Sequence, residues 1–191
     1  MQDPAGTKNI TPKEYLAIER EAEYKSEYYN GEMFGMSGAS FRHNVINVNI
    51  LVALSNQLKG KPCRAYASDL RTKPAKLEYY TYPDISVICG KPEFDDEAVK
   101  DTVTNPSMLI EVLSPLTKNY DRGEKFEFYR TMDSLKEYLL VDQSKIHVEH
   151  FHITPEGFWL LKDYMNMSDC LALESIGCEL KLADIYENVE F

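Results

Sequence analysis

Two acids and a lysine in this sequence stand where such residues are expensive. Asp84 lies in YPDISVICG, at the head of an apolar, β-branched run, and Glu111 lies inside MLIEVLS. A buried carboxylate without a partner is strongly unfavourable, so each needs something to balance it. A divalent cation balances both at once. Hard ions such as Mg2+ (or Mn2+) take oxygen ligands and use only one or two protein carboxylates. If the two strands are neighbours, Asp84 and Glu111 reach a common ion, and the backbone carbonyl of Val112 is a natural third ligand. Lys125 is the third element. On a helix beginning near Asp121, residues 121, 125, 128, 129 and 132 share a face, and Phe128, Tyr129 and Met132 make that face apolar. A lysine aimed there can steady charge on a phosphate or orient an attacking water. Asp121, one turn earlier, caps the helix or holds Lys125. The plainer alternative has Asp84 capping a loop, Glu111 paired with a buried arginine, and Lys125 with a buried stem and a wet head. Spacing leaves both readings open.

These residues need strands and helices to place them. Thr11-Pro12-Lys13-Glu14 is a helix start with a capping box, and the helix runs to about Glu23. Asn30-Gly31 marks a hairpin between strands at Lys25–Tyr29 and Glu32–Met36. Ser40 caps a second helix ending near Gly60, with Val45, Val48, Leu51, Val52, Ser55 and Leu58 at helical spacing on one face. CRAYASDLR reads as a strand, Ile85–Cys89 as a central strand, and KPEFDDEAVKDTVTNP as an acidic connection. Met108–Leu113 is a second buried strand, followed by a loop and a helix from about Asp121 to Met132. Glu137–Val141 is a strand, and the segments around Thr154–Gly157 form a hairpin. The tail adds one short strand and an irregular or helical end. The sum is one α/β domain over residues 1–191, with a mixed central sheet flanked by helices; residues 1–10 are expected to be flexible or an expression remnant.

Composition narrows the classes. With 43% hydrophobic and 27% charged residues, the 191-residue chain suits a globular domain with a core, which excludes a disordered or fibrous protein. No apolar run approaches the ~20 residues of a membrane span, and MQDPAGTKNI lacks the apolar core of a secretory signal. Cys63, Cys89, Cys170 and Cys178 form no CxxC pair, so a zinc knuckle is not expected and Cys89 reads as a buried free thiol. A cytoplasmic location follows as the expectation. A net charge of −10 argues against gripping nucleic acid by charge alone. Yet Lys59, Lys61, Arg64, Arg71, Lys73 and Lys76 cluster, as do Lys118, Arg122, Lys125 and Arg130, so either a local basic face or scattered solvated charge is compatible with the sequence. His150 and His152 share a strand face while His147 points away. They lack an evident third metal ligand, and an exposed hairpin is the expected setting. Trp159 and the tyrosines suit a core or a subunit interface.

The ordered set of Pro83-Asp84 before a strand, Glu111 in IEVLSP, then DRGEK and EYLLVD, resembles the Uma-two family of bacterial restriction endonucleases. The YYNGE hairpin, the His43 helix and the ASDLR strand are similar to that family in order, over roughly Thr11 to Tyr164. The resemblance implies a restriction-endonuclease-like core of the PD-(D/E)XK type. It implies a site of Asp84, Glu111 and a lysine, a magnesium-type ion, and hydrolysis of phosphodiester bonds in DNA. The parent motif puts lysine two residues after the glutamate, where this chain has Leu113, so Lys125 is the candidate in its place. His43, in the first turn of its helix, and Glu32, just after the hairpin turn, are accessory candidates near the ion by the same resemblance. A homodimer is expected, since two sites cut a duplex most simply. The alternative is a nuclease fold without cleavage that binds nucleic acid or a protein.

Overall fold

The computed structural model describes residues 9–191. In chain order its elements are α1 (Pro12–Glu21), β1 (Ser26–Tyr29), β2 (Glu32–Gly35), α2 (Phe41–Gln57), β3 (Cys63–Ala67), β4 (Arg71–Thr72), β5 (Tyr79–Tyr80), β6 (Ile85–Cys89), β7 (Thr102–Val103), β8 (Met108–Leu113), α3 (Lys118–Arg122), α4 (Glu124–Tyr129), β9 (Glu137–Asp142), β10 (Val148–Ile153), β11 (Trp159–Tyr164), β12 (Cys170–Leu173), β13 (Cys178–Lys181) and α5 (Leu182–Ile185). The central sheet has the order β11-β10-β9-β8-β6-β3. Only β8 and β9 run parallel within it; the other neighbours are antiparallel. It is the expected mixed sheet, with β8 at its centre and buried throughout.

The parallel pair decides how the site is built. Two parallel neighbours cannot be joined by a tight turn and need a crossover that lies on one face of the sheet. Here the crossover is α3 and α4. Side chains of β8 alternate between faces. Met108, Ile110 and Val112 join Ile46, Ile50 and Leu54 of α2 in one core cluster. Leu109 and Leu113 join Tyr129, Met132 and Tyr138 in the other. Glu111 has the parity of Leu109 and Leu113, so it faces the crossover. α2 shields the opposite face.

The N-terminal hairpin forms as expected, with Asn30 at φ 45° and Gly31 at φ 94°, the left-handed pair that a tight hairpin turn requires. A side chain at Gly31 would also press on the Asn9 backbone, 3.3 Å from where its Cβ would stand. Most of the N-terminal stretch expected to be flexible, residues 1–8, lies outside the described residues. Asn9 and Ile10 are held: both backbone N–H groups donate to the Gly31 carbonyl, at 2.9 and 3.2 Å.

Several expectations change. The helix expected from Asp121 to Met132 is two short helices that meet at Gly123. The tail holds a hairpin, β12 with β13, in place of one strand. Cys89 is no free thiol. In the β3–β6 pairing Cys63 stands opposite Cys89 with Cα atoms 3.9 Å apart, and the two form a disulfide. On α2 the core face is Ile46, Ile50 and Leu54; Val48 and Val52, assigned to the apolar face from sequence, are exposed. His147 and His150 are buried, not on an exposed hairpin. His147 Nε2 lies 2.7 Å from Asp163, and His150 Nε2 is 3.6 Å from Glu137. Trp159 packs edge-on against Phe126. Among the described residues no helix is long and apolar enough to cross a membrane.

Candidate active site

β6 and β8 pair with Ile85 opposite Ile110 and Val87 opposite Met108. Continuing that register sets Asp84 opposite Glu111 and Pro83 opposite Val112. Residues directly opposed in an antiparallel pair present their side chains to the same face, so Asp84 and Glu111 are brought together. At the Pro83–Val112 position the ladder would exchange two backbone hydrogen bonds. Proline has no N–H to give, so the Val112 carbonyl receives none from that position. The Val112 N–H is taken by a side chain instead, donating to Asp84 Oδ2 at 2.7 Å. The N–H and C=O of one strand residue point to the same edge, so the Val112 carbonyl lies on the Asp84 side. The Pro-Asp pair therefore ends the ladder where a backbone oxygen and two carboxylates meet.

Lys125 reaches this point from α4. Its Nζ lies 3.0 Å from Glu111 Oε1, 3.2 Å from Glu27 Oε1 and 3.5 Å from Asp121 Oδ1. Lys125 is 5% exposed and Glu111 4%. The Tyr129 hydroxyl donates to Glu111 Oε1 at 2.9 Å. Burial and the nearby Asp84 charge push the Glu111 carboxyl up to about 8, against the opposing pull of Lys125. Burial also raises Asp121, again against Lys125. For Lys125 burial acts to lower the ammonium, but Glu111 and Glu27 outweigh it and hold the group well above its ordinary range. Glu27, Glu111 and Asp121 thus share a single ammonium, and Asp84 beside them pairs with His43.

His43 comes from the first turn of α2, which Ser40 caps through the His43 backbone N–H. Its Nε2 lies 3.0 Å from Asp84 Oδ2. Its Nδ1 is buried with no hydrogen-bond partner among the described residues. Ser40 in turn bonds Gln143, the residue after β9, whose amide donates to the Leu113 carbonyl at 3.0 Å. Glu32 pairs with Tyr29 beside the hairpin turn. The hairpin acid that bonds Lys125 is Glu27, which the sequence reading passed over. Its carboxylate also accepts from Thr81 and from the Tyr120 hydroxyl. The signal lay in SEYY: Tyr28 belongs to the small cluster with Tyr15 and Tyr80, so alternation sends Glu27 to the other face. Among the described residues no three His, Cys, Asp or Glu side chains form a ready-made metal cluster. An ion here would be held by two carboxylates and a backbone carbonyl.

The chain matches the Uma2 family, described as "Putative restriction endonuclease", over residues 12–183. It belongs to the Uma2 family. Two Synechocystis proteins are similar along most of their length. The uncharacterized protein slr1290 is 36% identical over 182 residues, covering 95% of this chain and 94% of the relative. The uncharacterized protein sll1609 is 40% identical over 161 residues, covering 84% and 90%. A crystal structure titled as a putative nuclease belonging to DUF820, from Anabaena variabilis, superposes with a TM-score of 0.77 at 20% identity, over 93% of this chain and 97% of that one. At that identity the likeness establishes the nuclease-type fold of this Uma2 chain, and the fold alone.

Proposed function

We propose that this protein is a metal-dependent endonuclease that hydrolyses phosphodiester bonds in DNA, with Asp84, Glu111 and Lys125 as its catalytic residues. The observation that carries the reading is the meeting of Asp84 and Glu111 across the end of the β6–β8 ladder, with Lys125 Nζ 3.0 Å from Glu111. The donor set suits Mg2+ or Mn2+: two carboxylates and the Val112 carbonyl are all oxygen, and such ions keep waters in their other positions. Burial, with the Asp84 charge beside it, pushes Glu111 up to about 8, and a divalent cation between the two would offset both. When bound, the ion supplies Lewis-acid polarisation of the phosphate and a more acidic water. The chain's own residues do the rest. Lys125, held among Glu27, Glu111 and Asp121, steadies negative charge that develops on the phosphate. His43 and the Val112 N–H fix the Asp84 carboxylate in one orientation, and Glu27 and Asp121 orient Lys125.

Nicking of supercoiled plasmid tests this. Cleavage is expected with Mg2+ or Mn2+, absent with chelator, and reduced at least ~100-fold in Asp84→Ala, Glu111→Ala and Lys125→Met. Intact plasmid and oligonucleotides with every divalent ion tried, together with no Mn2+ binding by calorimetry, would overturn it. One observation favours the second reading, a non-cleaving module that binds nucleic acid or protein. Arg71 and Lys73 are turned inward onto Asp101 and Asp95, so part of the basic stretch is already neutralised. That reading expects DNA binding unaffected by chelator and no cut strand.

A further inference from the structure

We infer that the outer face of α2 is the interface through which two copies of this chain pair, helix against helix. α2 has apolar residues on two opposite sides. Ile46, Ile50 and Leu54 are buried against the sheet. At about 100° per residue, Phe41, Val45, Val48 and Val52 form a second stripe directly opposite. Phe41 is 82% exposed, Val48 57% and Val52 53%. The successive spacings of 4, 3 and 4 are those of a helix–helix seam, in which apolar residues recur every 3.5 residues on average. A surface helix ordinarily puts charge on this side. α2 carries no Asp or Glu, and its one Lys or Arg is Arg42, in a chain with 27% charged residues and net charge −10.

That charge pattern selects the occupant. Two copies of a chain this acidic repel one another over most of their surfaces, and they approach most easily through a face that has no acid. A short, uncharged seam is also self-complementary, as a two-fold interface must be. Another exposed apolar group, Phe158, Leu160 and Leu161 at the sheet edge β11 with Met165 and Met167 beyond it, is interrupted by Lys162 and Asp163, the kind of charge that guards an edge strand against pairing. In an antiparallel α2 pair the two His43–Asp84 contacts sit toward opposite ends of one seam. Two sites placed so can serve the two strands of a duplex; that consequence rests on the cleavage reading, whereas the interface does not. A 17-residue helix is ~25 Å long, a small contact beside the ~800 Å2 per partner of a standard interface. The dimer is therefore expected to dissociate at low micromolar concentration.

Sedimentation velocity on the full chain, without DNA or metal, from submicromolar to several hundred micromolar protein, tests the pairing. The expected result is a reversible monomer–dimer equilibrium, weakened about a hundredfold by Val48→Asp and separately by Val52→Lys, and unchanged by Leu161→Asp. Both valines are exposed, so the variants should keep the circular dichroism spectrum and melting temperature of the monomer. A native chain that stays monomeric at the highest concentration overturns the inference, as does a dimer that survives both α2 variants or is lost in Leu161→Asp. A monomer whose DNA affinity falls in Val48→Asp also overturns it and assigns the stripe to nucleic acid. Loss of plasmid cleavage alone bears on the catalytic reading and not on this one.

Discussion

At the level of single residues, the site is a cluster of carboxylates short of cations. Glu111 is buried in the middle of the central strand, and Lys125 serves it together with Glu27 and Asp121. The same burial that would make Glu111 useful to a divalent cation makes it costly without one. Its carboxyl is pushed up to about 8, chiefly by burial, from the 4.5 of an open chain. An acid raised in the folded state contributes stability that is fully present below its open-chain value and is lost as pH rises through the folded value. The chelated protein should therefore lose stability between about pH 4.5 and 8. Glu111→Gln removes that loss and keeps the shape. Its melting temperature in chelator is expected to exceed that of the native chain at pH 9, by ~3 °C for each kcal/mol relieved, and to converge with it in acid. Scanning fluorimetry across pH reads this directly. A variant less stable than the native chain at every pH would show that the ion pair with Lys125 outweighs the burial of the acid.

At the level of elements, what sequence discloses depends on whether a feature is local. Glu111, an acid inside an apolar strand, is conspicuous by itself, whereas Asp84, just ahead of β6, stands out only when paired with it. Lys125 was legible from helical spacing, and its contact with Asp121 one turn back survives the break at Gly123. Glu27 was not, because Glu32 stands opposite Tyr29 and so shares its face, and only the position along the hairpin relative to α4 separates the two acids. The two faces of α2 were confused for a related reason: both are apolar, and only the sheet determines which is covered. The Cys63–Cys89 bridge depends on strand register, since β3 and β6 are separated by a long stretch of chain and become neighbours only in the sheet. It ties the edge strand β3 to the strand that begins beside Asp84. With a sequence separation of 26, loop-closure entropy assigns the bridge ~3.5 kcal/mol, and in practice less, because the ladder around it still holds. Dithiothreitol, or Cys63→Ser with Cys89→Ser, is expected to lower the melting temperature by several degrees. Thiol counting under denaturing conditions should find two more reactive groups after reduction, beyond Cys170 and Cys178. An unchanged melting temperature with four free thiols throughout would exclude the bridge.

At the level of the whole molecule, the decisive question is how an acidic chain would hold the polyanion that the proposed reaction requires. In the first basic group of the sequence Lys59, Lys61 and Arg64 are exposed, whereas Arg71 and Lys73 are taken up by acids. The acidic connection folds back on the first group through the parallel β4–β7 pair, where Arg71 is 3% exposed and bonds Asp101 at 2.7 Å, and Lys73 bonds Asp95 at 2.6 Å. In the second group Arg122 is clamped by Glu149 and Lys125 belongs to the site, which leaves Lys118 and Arg130 open to solvent. A cation already paired with a carboxylate releases no counterion from DNA, and each phosphate newly neutralised adds about −0.9 to the slope of log affinity against log salt. Few contacts should therefore form. Fluorescence anisotropy of a duplex with Glu111→Gln, which keeps the fold without cutting, is expected to give a slope of only about −2 to −4. Lys118→Ala should make it shallower by about one. Selectivity for the site would then come from the cation pocket and the shape of the strand ends, with long-range attraction contributing little. A slope steeper than about −6 would mean that the acidic connection swings away from Arg71 and Lys73 on binding, and Asp101→Asn, which releases Arg71 in advance, would then strengthen binding instead of only destabilising the fold.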